Sequence, residues 1–253
     1  MDRNAGGTRR SAGASGKTAG GVTRTGARRS ACALSGERSR LAALEAIELD
    51  LRGGGVAFVA GVDEVGRGSL AGPVVAAAVI LPEGARIGGL DDSKVLSPEV
   101  REDVDRRVRR VALAFGIGAA SASEIDAQGI APATFLAMRR ALAALSGTAA
   151  EPGFVLVDGA AAIPGLPLPQ RAVVKGDGRV ACIAAASVVA KVERDRLMEG
   201  AGREFPWYGF SSHKGYGSAE HLEALRRHGP CPLHRLSFRG VLGGAAAGTV
   251  AAA

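Results

Sequence analysis

Residues 59–81 read VAGVDEVGRGSLAGPVVAAAVIL: two apolar runs separated by an acidic pair and a glycine-rich turn. Short Ala/Val/Ile runs bounded by Gly and Pro predict neighbouring strands of a buried sheet, over roughly 56–62 and 73–81. Asp63 and Glu64 then fall at the end of the first strand. A carboxylate left alone in such a sheet costs several kcal/mol to desolvate. Asp63 and Glu64 must therefore be solvated, bonded to the Gly66-Arg67-Gly68 turn, or placed on a cation.

Two further carboxylates end apolar runs in the same way: Asp158 after Phe154–Val157, and Asp177 after Ala172-Val173-Val174. Each precedes a glycine, so each taken singly reads as an ordinary turn residue. Taken together, the four can converge where neighbouring strands end. Adjacent strand residues point to opposite faces, so Asp63 and Glu64 share one site only if their strand is ending there. Clustered carboxylates repel one another unless a cation compensates. Oxygen ligands without His or Cys favour magnesium or manganese over zinc. Two such ions serve phosphodiester hydrolysis by activating a water and stabilising the leaving oxygen. Gly61-x4-Gly66-Arg67 has part of a P-loop spacing, but Arg67-Gly68 replaces the Lys-Ser/Thr pair and the acidic residues would repel phosphate. No third glycine follows Gly68 at the interval a dinucleotide fingerprint requires.

The net charge of +7 is localised. Residues 1–40 hold nine Lys/Arg against Asp2 and Glu37, which leaves residues 41–253 balanced. This Gly/Ser/Ala/Arg-rich segment lacks periodicity and is expected to be a disordered basic tail, able to attract nucleic acid non-specifically. Residues 41–240 are expected to form one domain, and 241–253 a disordered Ala/Gly-rich end. Cys32, Cys182 and Cys231 are odd in number and widely spaced, which gives neither a disulfide framework nor a zinc knuckle. With no secretory or membrane-spanning apolar segment, the expectation is a cytoplasmic protein without a membrane partner.

Along the rest of the chain, Leu41, Leu44, Ile47 and Leu51 recur at helical spacing from about Glu37, and Gly53-Gly54-Gly55 ends that helix. Ser97-Pro98 predicts an N-cap and first turn, followed by a helix to Arg110 with Val100, Val104, Val108 and Val111 on its inner face. A strand over 111–119, a short helix from Ser123 and a helix over 132–145 follow. Beyond Asp177 come a helix over 179–199, an aromatic loop over 205–217 and a last helix over 219–228. This order predicts an α/β fold, a mixed sheet with helices on its faces.

The blocks GVDEVGRGSLAGPVVAAAVIL, DDSKVLS, VLVDG, VVKGDGRVACIAAASVVAKVERDRLM and YGFSSHKGYGSAEHLEALRRHGP, in this order, closely resemble bacterial ribonuclease HII. The resemblance runs from about Val56 to Phe238. It implies a ribonuclease H-like fold, with a mixed five-stranded sheet flanked by helices and a C-terminal helical extension. It also implies Mg²⁺- or Mn²⁺-dependent cleavage of the RNA strand of RNA–DNA hybrids and of duplex DNA containing embedded ribonucleotides, by a monomer. Products would carry 3′-hydroxyl and 5′-phosphate ends. The family's four catalytic, metal-binding carboxylates fall on Asp63, Glu64, Asp158 and Asp177. Its substrate-binding Gly-Arg-Gly element falls on Gly66, Arg67 and Gly68, and its substrate-sensing tyrosine on Tyr216. Lys94, Ser187, Lys191 and Lys214 match positions that could hold phosphates, although Lys191 reads equally as a surface lysine. Ser69 stands where the family usually has proline, which should loosen the turn slightly. A catalytically silent hybrid-binding relative, and a sister hybrid-cleaving family with an added N-terminal domain, are the competing readings; the complete carboxylate set and the apolar-poor tail disfavour them.

Overall fold

A computed structural model describes residues 24–90, 93 and 96–242. By internal contacts the chain divides into residues 1–37 and 38–253, and everything below concerns the second unit unless a residue number says otherwise. Residues 1–23 of the tail expected over 1–40, residues 243–253 of the end expected over 241–253, and Lys94 lie outside the described residues. Helix α1 spans Arg24–Gly53 and therefore begins well before the expected Glu37. Residues 24–36, expected to be irregular, are helical; no proline interrupts the backbone bonds anywhere in that span.

Five strands form one mixed sheet in the order β3-β2-β1-β4-β5. Strand β1 (Val59–Val65) pairs antiparallel with β2 (Val74–Ile80), which pairs antiparallel with β3 (Ala114–Ala120). On its other side β1 runs parallel to β4 (Phe154–Asp158), and β4 parallel to β5 (Gln170–Val173). Every residue of β2 is buried, as an unbroken apolar strand flanked on both edges and covered on both faces must be.

One face carries Val59, Ala77, Val79 and Leu156 and packs against α5 (Ala181–Glu204), α2 (Pro98–Val111) and α1. The opposite face carries Ala60, Val62, Ala76 and Val157 and packs against α3 (Ala122–Gln128) and α4 (Ile130–Ala143). Helix α5 lies against the middle of the sheet because both surfaces are small there. A Cβ on Gly61 would sit 2.2 Å from the carbonyl carbon of Cys182, so only glycine permits this approach. Ala184, Ala185 and Ala186 complete the contact without bulk. A third core joins Ala71, Met198, Tyr208, Phe210, Leu225 and Val241, and holds α6 (Phe210–His213) and α7 (Ala219–His228) to the end of α5. This is the C-terminal helical extension.

Three expectations need correction. Strand β1 runs through Asp63 and Glu64 to Val65 instead of ending at Val62, because β2 pairs with it as far as Val65↔Val75. On α2, Ser97 caps as expected, but Val100 and Val111 are exposed and only Val104 and Val108 are buried. Residues across α2 pair with α5: Arg101 with Asp195, Asp105 with Arg196 and Arg109 with Glu193. In place of the end valines, Arg101 is buried, with Nε donating to Ser93 O at 2.8 Å and Nη2 to Leu96 O at 2.7 Å. Residues 205–217 are not simply a loop: a 3-10 turn over Pro206–Tyr208 precedes the single turn of α6.

Candidate active site

The register sets the site. Val62 stands opposite Val157 in the parallel β1–β4 pair, so the next residue of each strand, Asp63 and Asp158, lie side by side. Both follow the alternation that puts Leu156 on the α5 face. After β5 the chain turns back through a 3-10 turn over Gly176–Gly178, entered by Lys175 with φ 54°, and this turn delivers Asp177 to the same place. Asp63, Asp158 and Asp177 each offer a carboxylate oxygen, and the three oxygens lie within 4.8 Å of one another.

Backbone amides hold the three in place. Glu64 N–H donates to Asp63 Oδ1 at 2.7 Å, Gly176 N–H to Asp158 Oδ1 at 2.7 Å, and Gly178 N–H to Asp177 Oδ1 at 3.0 Å. Burial pushes the Asp63 carboxyl well above the usual range, and the negative charges of Glu64 and Asp158 push it further. The Ser187 hydroxyl, on α5, bonds Asp63 and opposes this, and itself lies 2.9 Å from Ser93 Oγ. Among the described residues no Lys or Arg forms an ion pair with Asp63.

Glu64 is not in the three-aspartate group, because it occupies the alternate position of a continuing strand. Its carboxylate pairs with Arg67 Nη1 at 3.4 Å. Burial raises its pKa, with Arg67 pulling the other way and Asp158 adding to the rise. Asp158 is thus within electrostatic reach of both members of the acidic pair.

Beside the acidic group, the Gly66-Arg67-Gly68 turn leaves β1. Gly66 is buried with φ 91°, and a Cβ there would fall 2.1 Å from Arg194 Nε; Gly68 is exposed, with open space around it. The Ser69 amide donates to Gly66 O at 3.4 Å, a bond that proline cannot make. Tyr216 is 41% exposed, with the Arg194 guanidinium 5.6 Å from its ring centroid, so it does not merely fill core. Lys191 pairs with Asp195 at 2.6 Å, and Lys214 with Glu199 at 2.8 Å, so both are engaged with carboxylates of α5.

Two buried arginines escape a reading by residue type. Arg194 donates to Pro73 O, Lys214 O and Ala71 O at 3.0, 2.9 and 3.1 Å. Its sequence signal was its place at helical spacing from the buried residues Ser187, Ala190 and Met198. Arg235 lies in irregular chain after Leu233, where no periodicity marks it as buried.

Three gathered aspartates with hard oxygen donors, one of them destabilised as an anion by burial and by its neighbours, fit a divalent cation. Among the described residues no helix is long and apolar enough to cross a membrane.

Residues 60–241 match the family model described as Ribonuclease HII. A ribonuclease HII of Syntrophotalea carbinolica is 56% identical over 184 residues, covering 72% of this chain and 86% of the relative. Among solved structures, ribonuclease H2 from Pyrococcus horikoshii superposes with a TM-score of 0.62 at 24% identity, covering 74% of this chain and 96% of that one. Bst-RNase HIII in complex with Mn²⁺ gives a TM-score of 0.61 at 19% identity, covering 74% and 68%. At these identities the two structures speak for the fold.

Proposed function

Because the chain belongs to the ribonuclease HII family, metal-dependent endoribonucleases that act on RNA–DNA hybrids, we propose that it also cuts at ribonucleotides embedded in duplex DNA. The reaction leaves 3′-hydroxyl and 5′-phosphate ends and runs in the cytoplasm, on a monomer. The observation that carries this reading is the group of Asp63, Asp158 and Asp177 within 4.8 Å, beside a Gly-Arg-Gly turn.

In this account Asp63, Asp158 and Asp177 hold Mg²⁺ or Mn²⁺, and Glu64 completes the set from the neighbouring strand position. When bound, a pair of such ions supplies an activated water and charge stabilisation at the leaving oxygen. The chain's own residues position the substrate. Backbone groups of the Gly66-Arg67-Gly68 turn approach the ribose, and the exposed Gly68 leaves room for a sugar. The exposed face of Tyr216 stacks on the adjoining sugar or base, and the 2′-hydroxyl distinguishes RNA from DNA. Lys94, Ser187, Lys191 and Lys214 are proposed phosphate contacts, with Lys191 and Lys214 exchanging their carboxylate partners for the duplex backbone. Burial and like charge leave Asp63 unfavourable as a lone anion, which is the driving force for taking up a cation.

The test is cleavage, with Mg²⁺ or Mn²⁺, of three labelled duplexes: all DNA, DNA with one ribonucleotide, and a full hybrid. The expected result is cutting of the last two only, beside a ribonucleotide, with 5′-phosphate ends. Binding without cutting of any of them would leave a silent hybrid-binding protein.

A further inference from the structure

The Gly66–Gly68 turn is held from beneath by a buried side chain contributed by the far end of the domain. Arg235 is fully buried. Its guanidinium donates through Nη2 to Gly66 O at 2.7 Å, through Nη1 to Arg67 O at 2.9 Å, and through Nε to Gly72 O at 3.0 Å. All three bonds end on main-chain carbonyls of one loop. Burying a guanidinium is unfavourable compared with an apolar side chain of similar volume. A planar fork of donors is, however, pre-organised to fix two successive carbonyls together.

Fixing those carbonyls has a consequence for the opposite edge of each peptide. In a trans peptide, C=O and N–H point to opposite sides of the chain. With Gly66 O and Arg67 O drawn inward to Arg235, the N–H groups of Arg67 and Gly68 face outward. Both residues are exposed, and among the described residues neither amide donates a backbone hydrogen bond. Two successive outward amides form a concave donor pair suited to an oxygen acceptor.

The segment bearing Arg235 is itself anchored. Its amide donates to Leu70 O at 2.9 Å, and Ala71 forms a bridge with His234. Asp126, on α3, accepts from Leu236 N–H, Ser237 N–H and Ser237 Oγ at 2.9, 2.9 and 2.6 Å. The Arg235 guanidinium also sits 5.1 Å from the Phe238 ring centroid.

We propose that Arg235 is a positioning residue for ribose recognition: it presets the Arg67 and Gly68 amides to receive the 2′-hydroxyl oxygen of the ribonucleotide. This rests on the functional reading above and adds the residue that makes the turn selective. Arg235 lies beneath the loop and touches neither substrate nor metal, so its substitution leaves general duplex binding and metal affinity in place.

The decisive variant is Arg235→Lys, which keeps the charge but lacks the rigid planar fork that holds the carbonyls in register. Two quantities are compared in the wild-type protein and the variant. One is the KM for a duplex with one ribonucleotide; the other is the inhibition constant of the same duplex made wholly of DNA. The expected result is a rise in KM of about ten-fold, the scale on which a missing hydrogen-bond partner is felt, with the inhibition constant and the metal midpoint unchanged. An unchanged KM in a folded variant, or equal losses on both duplexes, overturns the proposal, the latter because it would assign the amides to phosphate. A wild-type protein that cuts nothing would instead overturn the functional reading itself. Should Arg235→Lys fail to fold, hydrogen exchange in the wild-type protein decides. The Arg67 and Gly68 amides are expected to exchange fast in the free protein and to slow with the ribonucleotide duplex but not with its all-DNA counterpart. Equal slowing by both duplexes overturns the proposal.

Discussion

Gly66 and Gly68 stand two positions apart and are constrained differently. Gly66 has φ 91° and no room for a Cβ beside Arg194, so its constraint is the protein's own backbone and packing. Gly68 has open space on the side where a Cβ would project, so the protein itself does not constrain it to glycine there. Gly66→Ala should therefore lower stability by about 1–3 kcal/mol, the range for a non-glycine residue in a strained conformation, with a lower Tm. Gly68→Ala should leave Tm unchanged and raise the KM for an embedded ribonucleotide. A Gly68→Ala protein with wild-type KM would show that no sugar approaches that closely. From sequence, both glycines were legible as turn residues. Their difference was not, because it depends on Arg194, more than a hundred residues away, lying under one and not the other.

At the scale of elements, His221 on α7 and His234 in the following segment form a buried chain of hydrogen bonds. His221 Nδ1 lies 2.9 Å from Tyr216 O and so must donate; His221 Nε2 then accepts from His234 Nε2 at 3.0 Å. His234 Nδ1 in turn accepts from Cys231 N–H at 2.9 Å. This arrangement requires both rings to be neutral. Burial depresses both pKa values, and the neighbouring His221 helps bring His234 down to about 4. Tyr208, Phe210 and His213 pack around the pair, and Glu220 is the nearby acid acting on His221.

A depressed folded-state pKa gives stability that is complete above the unfolded value near 6.5 and is lost as pH falls through the folded value. Between pH 6.5 and 4 the His234 contribution should decline by about 3 kcal/mol. Thermal melts of the wild-type protein and His234→Gln across that interval check this: the variant should lack most of the slope. Glu124, held at about 2 by Arg140 and the Ser121 amide, loses its own contribution at lower pH in both proteins, so the difference isolates the histidine. An identical slope in both would contradict the neutral pair. Helix α7 itself was legible to the residue, since Ser218 caps it and Gly229 follows it. The histidine chain was not, because it spans the α7 surface and an irregular segment that share no period. The inner face of α2 was misjudged for a related reason. Four valines at helical spacing define a stripe, but tertiary packing decides how much of it is covered: Val104 and Val108 are buried, Val100 and Val111 exposed.

For the whole molecule, the sheet order does what local sequence could only suggest. Four carboxylates at the ends of apolar runs were visible in the chain, and hydrophobic alternation gave the strands that carry them. What spacing could not show is that β1 lies between β2 and β4. That order makes Asp63 and Asp158 neighbours and leaves Glu64 on the alternate position of a strand that continues. Nor could spacing show that the C-terminal extension returns to hold the turn beside them. The account's central claim is that the three aspartates are a divalent-cation site on which cleavage depends. Asp63→Asn keeps the shape and removes one charge, so it tests that claim most directly. The measurement is Mn²⁺ binding by titration calorimetry together with cleavage of a single-ribonucleotide duplex at saturating Mn²⁺. The expected result is weaker Mn²⁺ binding and a loss of turnover on the order of a thousand-fold, with the metal-free Tm not lowered. Turnover near that of the wild-type protein, with Mn²⁺ affinity unchanged, would contradict it.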